Sequence, residues 1–276
     1  MFLYLNLKRK AVCALQIATL QMDISDSRDK EGRCELLERQ FAEILKEGRH
    51  PDLVILPELW GCGFFAYDRY IQDSEDLRGA TFSFLASWAL RLHAYILGGS
   101  IVEAEGEALY NTSLLIDRDG ELEGSYRKIH LFGFESQEQK LLRRGEFPVV
   151  IPTNLGCFGL STCYDLRFPE QYRAMVDLGA DIFLVPAAWP AARIAHWRLF
   201  NQARALENQS WLISCNCAGE QNGSQYGGNS MVVSPTGEII AVAEASPVLF
   251  YSEVDLGLVR NARESFPALA DRQPLN

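Results

Sequence analysis

Phe158-Gly-Leu-Ser-Thr-Cys163-Tyr-Asp-Leu-Arg-Phe-Pro-Glu170 reads as the end of a buried strand that turns into a helix. Its first half is small and apolar. Asp165 and Pro169 then supply helix-opening residues, because proline is tolerated in a first turn where its missing N–H is not needed. A buried strand passing through a tight turn into a helix is half of an α/β unit. Cys163 stands at the junction, expected at the strand end. A side chain there is held at a fixed angle over a cleft, with the next backbone N–H groups pointing the same way. That suits a nucleophile beside an oxyanion-binding donor. Most cysteines are only small buried hydrophobes, so Cys163 gains meaning through partners elsewhere in the chain.

Outward from this junction the same alternation continues. Downstream, the pattern predicts a helix over 169–178 stopped by Gly179, a strand over 182–186, and a helix over 194–208 with Leu199, Ala203 and Leu206 on one face. Strands follow at 211–216, 229–234, 238–243 and 247–254, with Pro235-Thr-Gly237 as a hairpin turn, and 255–276 reads as an irregular C-terminal arm. Upstream, strands are predicted over 11–22, 53–56, 95–103, 108–117, 121–127, 149–151 and 157–163. Helical spacing of Cys34, Leu37, Phe41, Ile44 and Leu45 predicts a helix over 28–47, closed by Gly48. A second helix covers 81–93, with Leu85 and Trp88 inside. The charged stretch 128–146 has no period and reads as a long loop with at most short helices, a kind of loop that is usually functional. The economical arrangement is one α/β domain over 1–276: an α-β-β-α sandwich, two stacked sheets with helices outside. Residues 1–10 read as a loose extension. Their apolar residues precede Lys8-Arg9-Lys10, the reverse of a signal peptide, and the run is too short to span a bilayer.

A net charge of −10 argues against a nucleic-acid partner, which calls for a basic stripe. The seven cysteines are odd in number and irregularly spaced, with Cys215 and Cys217 expected on opposite faces of one strand. No Cys-x-x-Cys pair has matching histidines, so a zinc site is not expected, and a reduced, cytoplasmic setting is.

Two further residues stand at predicted strand ends. Glu58, in Leu56-Pro57-Glu58-Leu59-Trp60, is flanked by bulky apolar residues that would desolvate it and make it a usable general base; alone it reads equally as a salt-bridge partner. Lys128, in Tyr126-Arg127-Lys128-Ile129-His130, would alone read as a surface lysine. Ligand sites of open α/β sheets gather at the carboxyl ends of strands. If the three ends converge, Glu58 takes the thiol proton, Lys128 favours the thiolate and then the oxyanion, and Cys163 attacks an electrophilic carbon.

In order, spacing and context these three segments resemble the nitrilase, or carbon–nitrogen hydrolase, superfamily, closest to its ω-amidase-like branch. The likeness runs from about residue 11 to about 270 and includes His196-Trp197, Ala203-Arg-Ala-Leu-Glu-Asn208 and Ser234-Pro-Thr-Gly237. Gly228-Asn229-Ser230 departs from it, since many members carry His or Asp in that stretch. The resemblance implies an α-β-β-α fold and a cofactor-independent amidase acting through a thioester, with Glu58, Lys128 and Cys163 as its triad. It also implies that Glu138, seven residues before Gly145, is a second glutamate beside the lysine, and that the Tyr164 N–H joins Lys128 around the oxyanion. The substrate implied is a small amide, such as an ω-amide of a short dicarboxylate. Deaminated-glutathione amidase, N-carbamoyl hydrolase and nitrilase are the alternatives within the family, and a non-catalytic scaffold is the alternative outside it. A homodimer is implied, αββα–αββα, with residues 255–276 crossing to the partner.

Around the triad, Trp189 should lie beside Cys163, while Trp60 and Phe64 are candidates for the opposite wall. Trp197 reads as core, Arg167 as an ion-pair partner of Asp165 or Glu170, and His130 as structural, without an evident partner.

Overall fold

The computed structural model describes residues 14–273; the extension expected over 1–10 lies outside the described residues. The first half of the chain forms β1 (Leu15–Gln21), α1 (Lys30–Lys46), β2 (Leu53–Ile55), α2 (Ala80–Leu92), β3 (Tyr95–Glu105), β4 (Ala108–Ile116) and β5 (Leu122–Arg127). A four-residue helix α3 (Glu138–Leu141) interrupts the long loop. Then come β6 (Val149–Thr153), β7 (Gly156–Leu160), α4 (Pro169–Asp177), β8 (Ile182–Ala187), α5 (Ile194–Asn208) and β9 (Trp211–Asn216). The chain closes with a small hairpin, β10 (Glu220–Gln221) and β11 (Ser224–Gln225), followed by β12 (Met231–Val233), β13 (Ile239–Val242), β14 (Val248–Val254) and α6 (Gly257–Ser265).

Two six-stranded mixed sheets result, ordered β14-β1-β2-β3-β4-β5 and β13-β12-β9-β8-β7-β6. Each has a parallel triplet, β1-β2-β3 and β7-β8-β9, extended on both sides by antiparallel strands. Strand residues alternate between two apolar layers, which is why the sheets stack with helices outside. In β2, Leu53 and Ile55 join the layer between the sheets, whereas Val54 faces the layer under α1 and α2 with Phe41 and Trp88. In β8, Ile182 and Leu184 meet the same inter-sheet layer, while Phe183 and Val185 pack against Tyr172, Met175 and Trp197 of α4 and α5. Cys215 and Cys217 fall in different layers, but not as two faces of one strand: residues two apart share a face, and β9 ends at Asn216, so Cys217 lies beyond it. Among the described residues no helix is long and apolar enough to cross a membrane.

Three expectations need correction. The strand before Cys163 ends at Leu160, and Cys163 opens a 3-10 turn, Cys163–Arg167. The apolar face read into the helix over 194–208 points outward: Leu199 and Leu206 are 64% and 54% exposed. The buried face of α5 is Trp197, Asn201, Arg204, Ala205 and Asn208, a polar surface tolerable because its side chains serve nearby carbonyls. Arg204 Nε donates to Leu166 O at 3.0 Å and Asn201 Nδ2 to Trp197 O at 2.8 Å. Finally, 255–276 is not irregular throughout, since α6 buries Val259 and Ala262 against its own chain.

Candidate active site

Glu58 is placed by an interrupted strand. β2 stops at Ile55, and Leu56 N still donates to Leu97 O at 3.0 Å. Pro57 carries no N–H and turns the chain. The neighbouring strand β3 makes room there: Gly99 has φ +67, and a Cβ on it would lie 2.0 Å from Pro57 O. Leu59 N donates to Ser100 Oγ at 3.0 Å, fixing the turn. Across the sandwich the end of β8 meets it, with Ala188 N donating to Glu58 Oε2 at 2.8 Å.

Lys128 leaves the end of β5, its own N–H bound to Asn111 O at 2.8 Å. The loop beyond returns to pack on this strand end. Gly145 N donates to Lys128 O at 2.8 Å, and a Cβ on Gly145 would lie 2.1 Å from Arg127 O, so only glycine permits the approach. Glu138 opens α3, and its Oε2 accepts from Phe132 N at 2.6 Å.

These three side chains converge and are all fully buried. Lys128 Nζ donates to Glu58 Oε1 at 2.8 Å and to Glu138 Oε1 and Oε2 at 2.9 and 3.1 Å. Asn111 Nδ2 bridges the same acids, at 2.8 Å to Glu58 Oε1 and 3.0 Å to Glu138 Oε1. Two carboxylates thus share one ammonium away from water. Burial would lower Lys128, but the charges of Glu138 and Glu58 outweigh it and hold the ammonium well above the usual lysine range. Burial pushes the Glu138 carboxyl up, and the Glu58 charge adds to this against the pull of Lys128.

Cys163 has φ +47, a left-handed conformation that strains a residue carrying a Cβ. A capping box pins the turn: Thr162 N donates to Asp165 Oδ2 at 2.8 Å. Asp165 also accepts from Tyr126 OH at 2.7 Å, His130 N at 2.9 Å and the His130 ring at 2.8 Å. One carboxylate therefore ties the Cys163 turn to the residues two before and two after Lys128. The thiol is raised well above its usual value by burial and then by the charge of Glu58, with Lys128 opposing. The resting sulfur is thereby held as a protonated thiol. The arrangement can move a proton from sulfur to carboxylate as the sulfur attacks, while an ammonium meets developing negative charge.

Cys163 opens into a pocket with about 350 Å³ of empty space. Phe64, Tyr164 and Trp189 line it, as the sequence suggests. Trp60 does not: it is fully buried, its indole N–H donates to Gly98 O at 2.9 Å, and it borders a separate small cavity with Lys30 and Glu75. Trp197 is core, as read. Arg167 pairs with neither Asp165, whose oxygens are taken, nor Glu170. It lies over the Trp189 and Phe200 rings, 4.8 and 5.1 Å from their centroids, and lines the pocket. His130 is structural but not partnerless, being bound to Asp165 and stacked on Phe168 at 3.7 Å. Sequence reasoning missed Asn111, Phe132 and Arg193. The signal for Arg193 was its place just beyond Trp189-Pro190; Asn111 gave none, its acidic partners lying 53 and 27 residues away.

Comparison with known proteins agrees with this geometry. The family profile described as carbon–nitrogen hydrolase matches residues 16–264. The chain is 37% identical over 264 residues to the 2-oxoglutaramate amidase of Paenarthrobacter nicotinovorans, covering 92% of this chain and 90% of that protein. It is 32% identical over 255 residues to the 2-oxoglutaramate amidase of Bacillus subtilis, covering 92% and 96%. A solved structure of the amidase from Nesterenkonia sp. AN1 superposes with a TM-score of 0.79 at 27% identity, covering 94% of this chain and 97% of that one. That structure is of a glutamate-to-glutamine mutant showing covalent addition of the acetamide moiety of fluoroacetamide at the active site cysteine.

Proposed function

The chain belongs to the carbon–nitrogen hydrolase family and hydrolyses C–N bonds other than peptide bonds, and from that premise we propose that Cys163 is the nucleophile, Glu58 the general base, and Lys128 with the Tyr164 N–H the oxyanion donors. Glu138 holds Lys128 in place. The observation that carries this reading is geometric: a fully buried Glu58 accepts from Lys128 at 2.8 Å, and Cys163, held at φ +47, opens into the pocket. Glu58 removes the sulfur proton as sulfur attacks the amide carbon. The tetrahedral oxyanion rests on Lys128 Nζ and Tyr164 N. Glu58 returns the proton to nitrogen, the C–N bond breaks, ammonia leaves, and a thioester remains on Cys163. Water then loses a proton to Glu58 and attacks the thioester, the C–S bond breaks, and the acid leaves with the thiol restored.

The substrate proposed is an ω-amide of a short dicarboxylate, 2-oxoglutaramate being the type. The two relatives' activities support it, as does a pocket lined by aromatic side chains and two arginines, which suits a short anionic amide. The test is ammonia release by wild type and Cys163→Ala across 2-oxoglutaramate, aliphatic amides, N-carbamoyl amino acids and nitriles. Cys163-dependent release strongest with the ω-amide is expected. Turnover of another class alone would keep the triad and replace the substrate.

A homodimer is proposed as well. The outward Leu199 and Leu206 of α5, with the 70% exposed Phe266 after α6, form apolar surface that a second copy could cover. A monomeric mass in light scattering at micromolar protein would overturn it. A reducing, cytoplasmic setting is proposed from the odd number and irregular spacing of the seven cysteines; cell fractionation checks it.

A further inference from the structure

The pocket over Cys163 carries two positive charges and no negative one among its lining residues, in a chain whose net charge is −10. Its cations are Arg167, in the turn after Cys163, and Arg193, in the 3-10 turn Ala191–Arg193 that leads into α5. They are not equivalent. Arg167 is spent on its surroundings: one terminal nitrogen meets His196 Nδ1 at 3.3 Å, and its plane lies over Trp189 and Phe200. Arg193 is half-buried, yet among the described residues none of its five N–H donors meets an acceptor. Its side chain rests on the Phe132 ring, 5.4 Å from the centroid, and its backbone is fixed where Arg193 O accepts from Trp189 Nε1 at 2.9 Å. The two guanidinium groups are near enough for the charge of Arg193 to push Arg167 down, in addition to its burial. Like charges are thus held together at the rim of an apolar pocket, with the planar, forked donor set that carboxylates fit bidentately left open.

We infer that Arg193, backed by the charge of Arg167, is the receptor for the carboxylate at the far end of the substrate, and so the residue that selects ω-amides of short dicarboxylates over neutral amides. This rests on the proposed amidase reading and adds the group that reads the substrate's charge. Arg193 and Cys163 line the same pocket, and Glu58 and Lys128 are not among its lining residues, so a ligand held there by its carboxylate can present its amide end to Cys163 with its methylenes against the aromatic walls. The loop also links receptor to chemistry. Phe132, on which Arg193 rests, donates its backbone N–H to Glu138 at 2.6 Å, and Glu138 in turn holds Lys128.

Two measurements test this. The first is kcat/KM for 2-oxoglutaramate and for the neutral five-carbon pentanamide, in wild type, Arg193→Met and Arg193→Lys, with thermal unfolding confirming that each variant is folded. The ratio of anionic to neutral turnover is expected to fall about 30- to 100-fold in Arg193→Met, the usual effect of losing a charged hydrogen-bond pair. Arg193→Lys should recover part of it, keeping the charge without the fork. An unchanged ratio would overturn the inference. The second is titration of glutarate into Cys163→Ala with and without Arg193→Met. Loss of glutarate affinity with Arg193 is expected, and equal affinity in both proteins would overturn the receptor. If wild type fails to turn over 2-oxoglutaramate while glutarate binding still depends on Arg193, the activity reading falls and the receptor stands.

Discussion

Two sets of buried carboxylates serve the site, Glu58 with Glu138 around Lys128 and Asp165 behind the Cys163 turn, and they are built differently. Glu58 and Glu138 share one ammonium and one amide donor, so an excess negative charge stays out of water. Asp165 is a single carboxylate that receives four hydrogen bonds, from Tyr126, Thr162 and His130. A fully satisfied network is rigid, and its cost of burial is largely offset by its bonds. A network short of positive charge has a raised proton affinity, and a small change in charge nearby shifts it. The first cluster is suited to transferring a proton, the second to holding the two strand ends where the transfer occurs.

Replacing one carboxylate in each cluster by its amide separates these roles. Glu58→Gln keeps the shape and removes the proposed base, so amide hydrolysis should fall about 10³-fold, within the range for losing a general base. The thiol should respond oppositely. Glu58's charge is among the causes that raise it, so the pH midpoint for alkylation of Cys163 by iodoacetamide should move down. Hydrolysis and alkylation falling together, with the midpoint fixed, would mean that Glu58 only positions the cysteine. That result would merge the two clusters into one kind.

Asp165→Asn should act on structure first. The new amide nitrogen would face donors that now have no acceptor, costing about 2–4 kcal/mol of stability by the usual penalty for a broken buried network. Turnover should fall about 10- to 100-fold, because small displacements of Cys163 and Lys128 spoil the attack geometry, while the alkylation midpoint stays near that of wild type. Unfolding by urea and steady-state kinetics give both numbers. A large loss of turnover at full stability would place Asp165 in the chemistry instead.

The contrast also explains what could be read from the sequence. Glu58, Lys128 and Cys163 were legible because each stands beside a local signal, a proline or the end of an apolar alternation, and the alternation itself dictated two stacked sheets. Asp165 read as a helix opener and Arg167 as an ion-pair partner of Asp165 or Glu170, because nearby opposite charges invite pairing. The actual donors come from Tyr126 and His130, 39 and 35 residues earlier. The buried face of α5 was inverted because its inward Asn201, Arg204 and Asn208 bind backbone carbonyls, a use of polar residues that hydrophobic periodicity cannot register. α6 escaped notice because it buries only Val259 and Ala262, too few to set a period.

Asn111 tests the comparison most finely, because it belongs to the unbalanced cluster yet carries no charge. Its Nδ2 donates to both acids, and its Oδ1 is buried with no partner among the described residues. Asn111→Leu removes the donor and an unsatisfied acceptor together, so the stability change should stay within about 1 kcal/mol. The proton affinity of the cluster should change more. A donor favours the ionised form of the carboxylate it binds, and the Asn111 bond is among the influences that lower Glu138 against the rise from burial. Without it Glu138 holds its proton to higher pH. Glu138 must be ionised to hold Lys128, so activity is present above its folded pKa and lost as pH falls through it. The acid limb of the kcat/KM profile should therefore move to higher pH in Asn111→Leu, with the plateau reduced only a few-fold. A merely structural role would lower the plateau and leave the limb in place. A limb that moves down instead would mean that the cluster has positive charge to spare, and the distinction between the two clusters would fail.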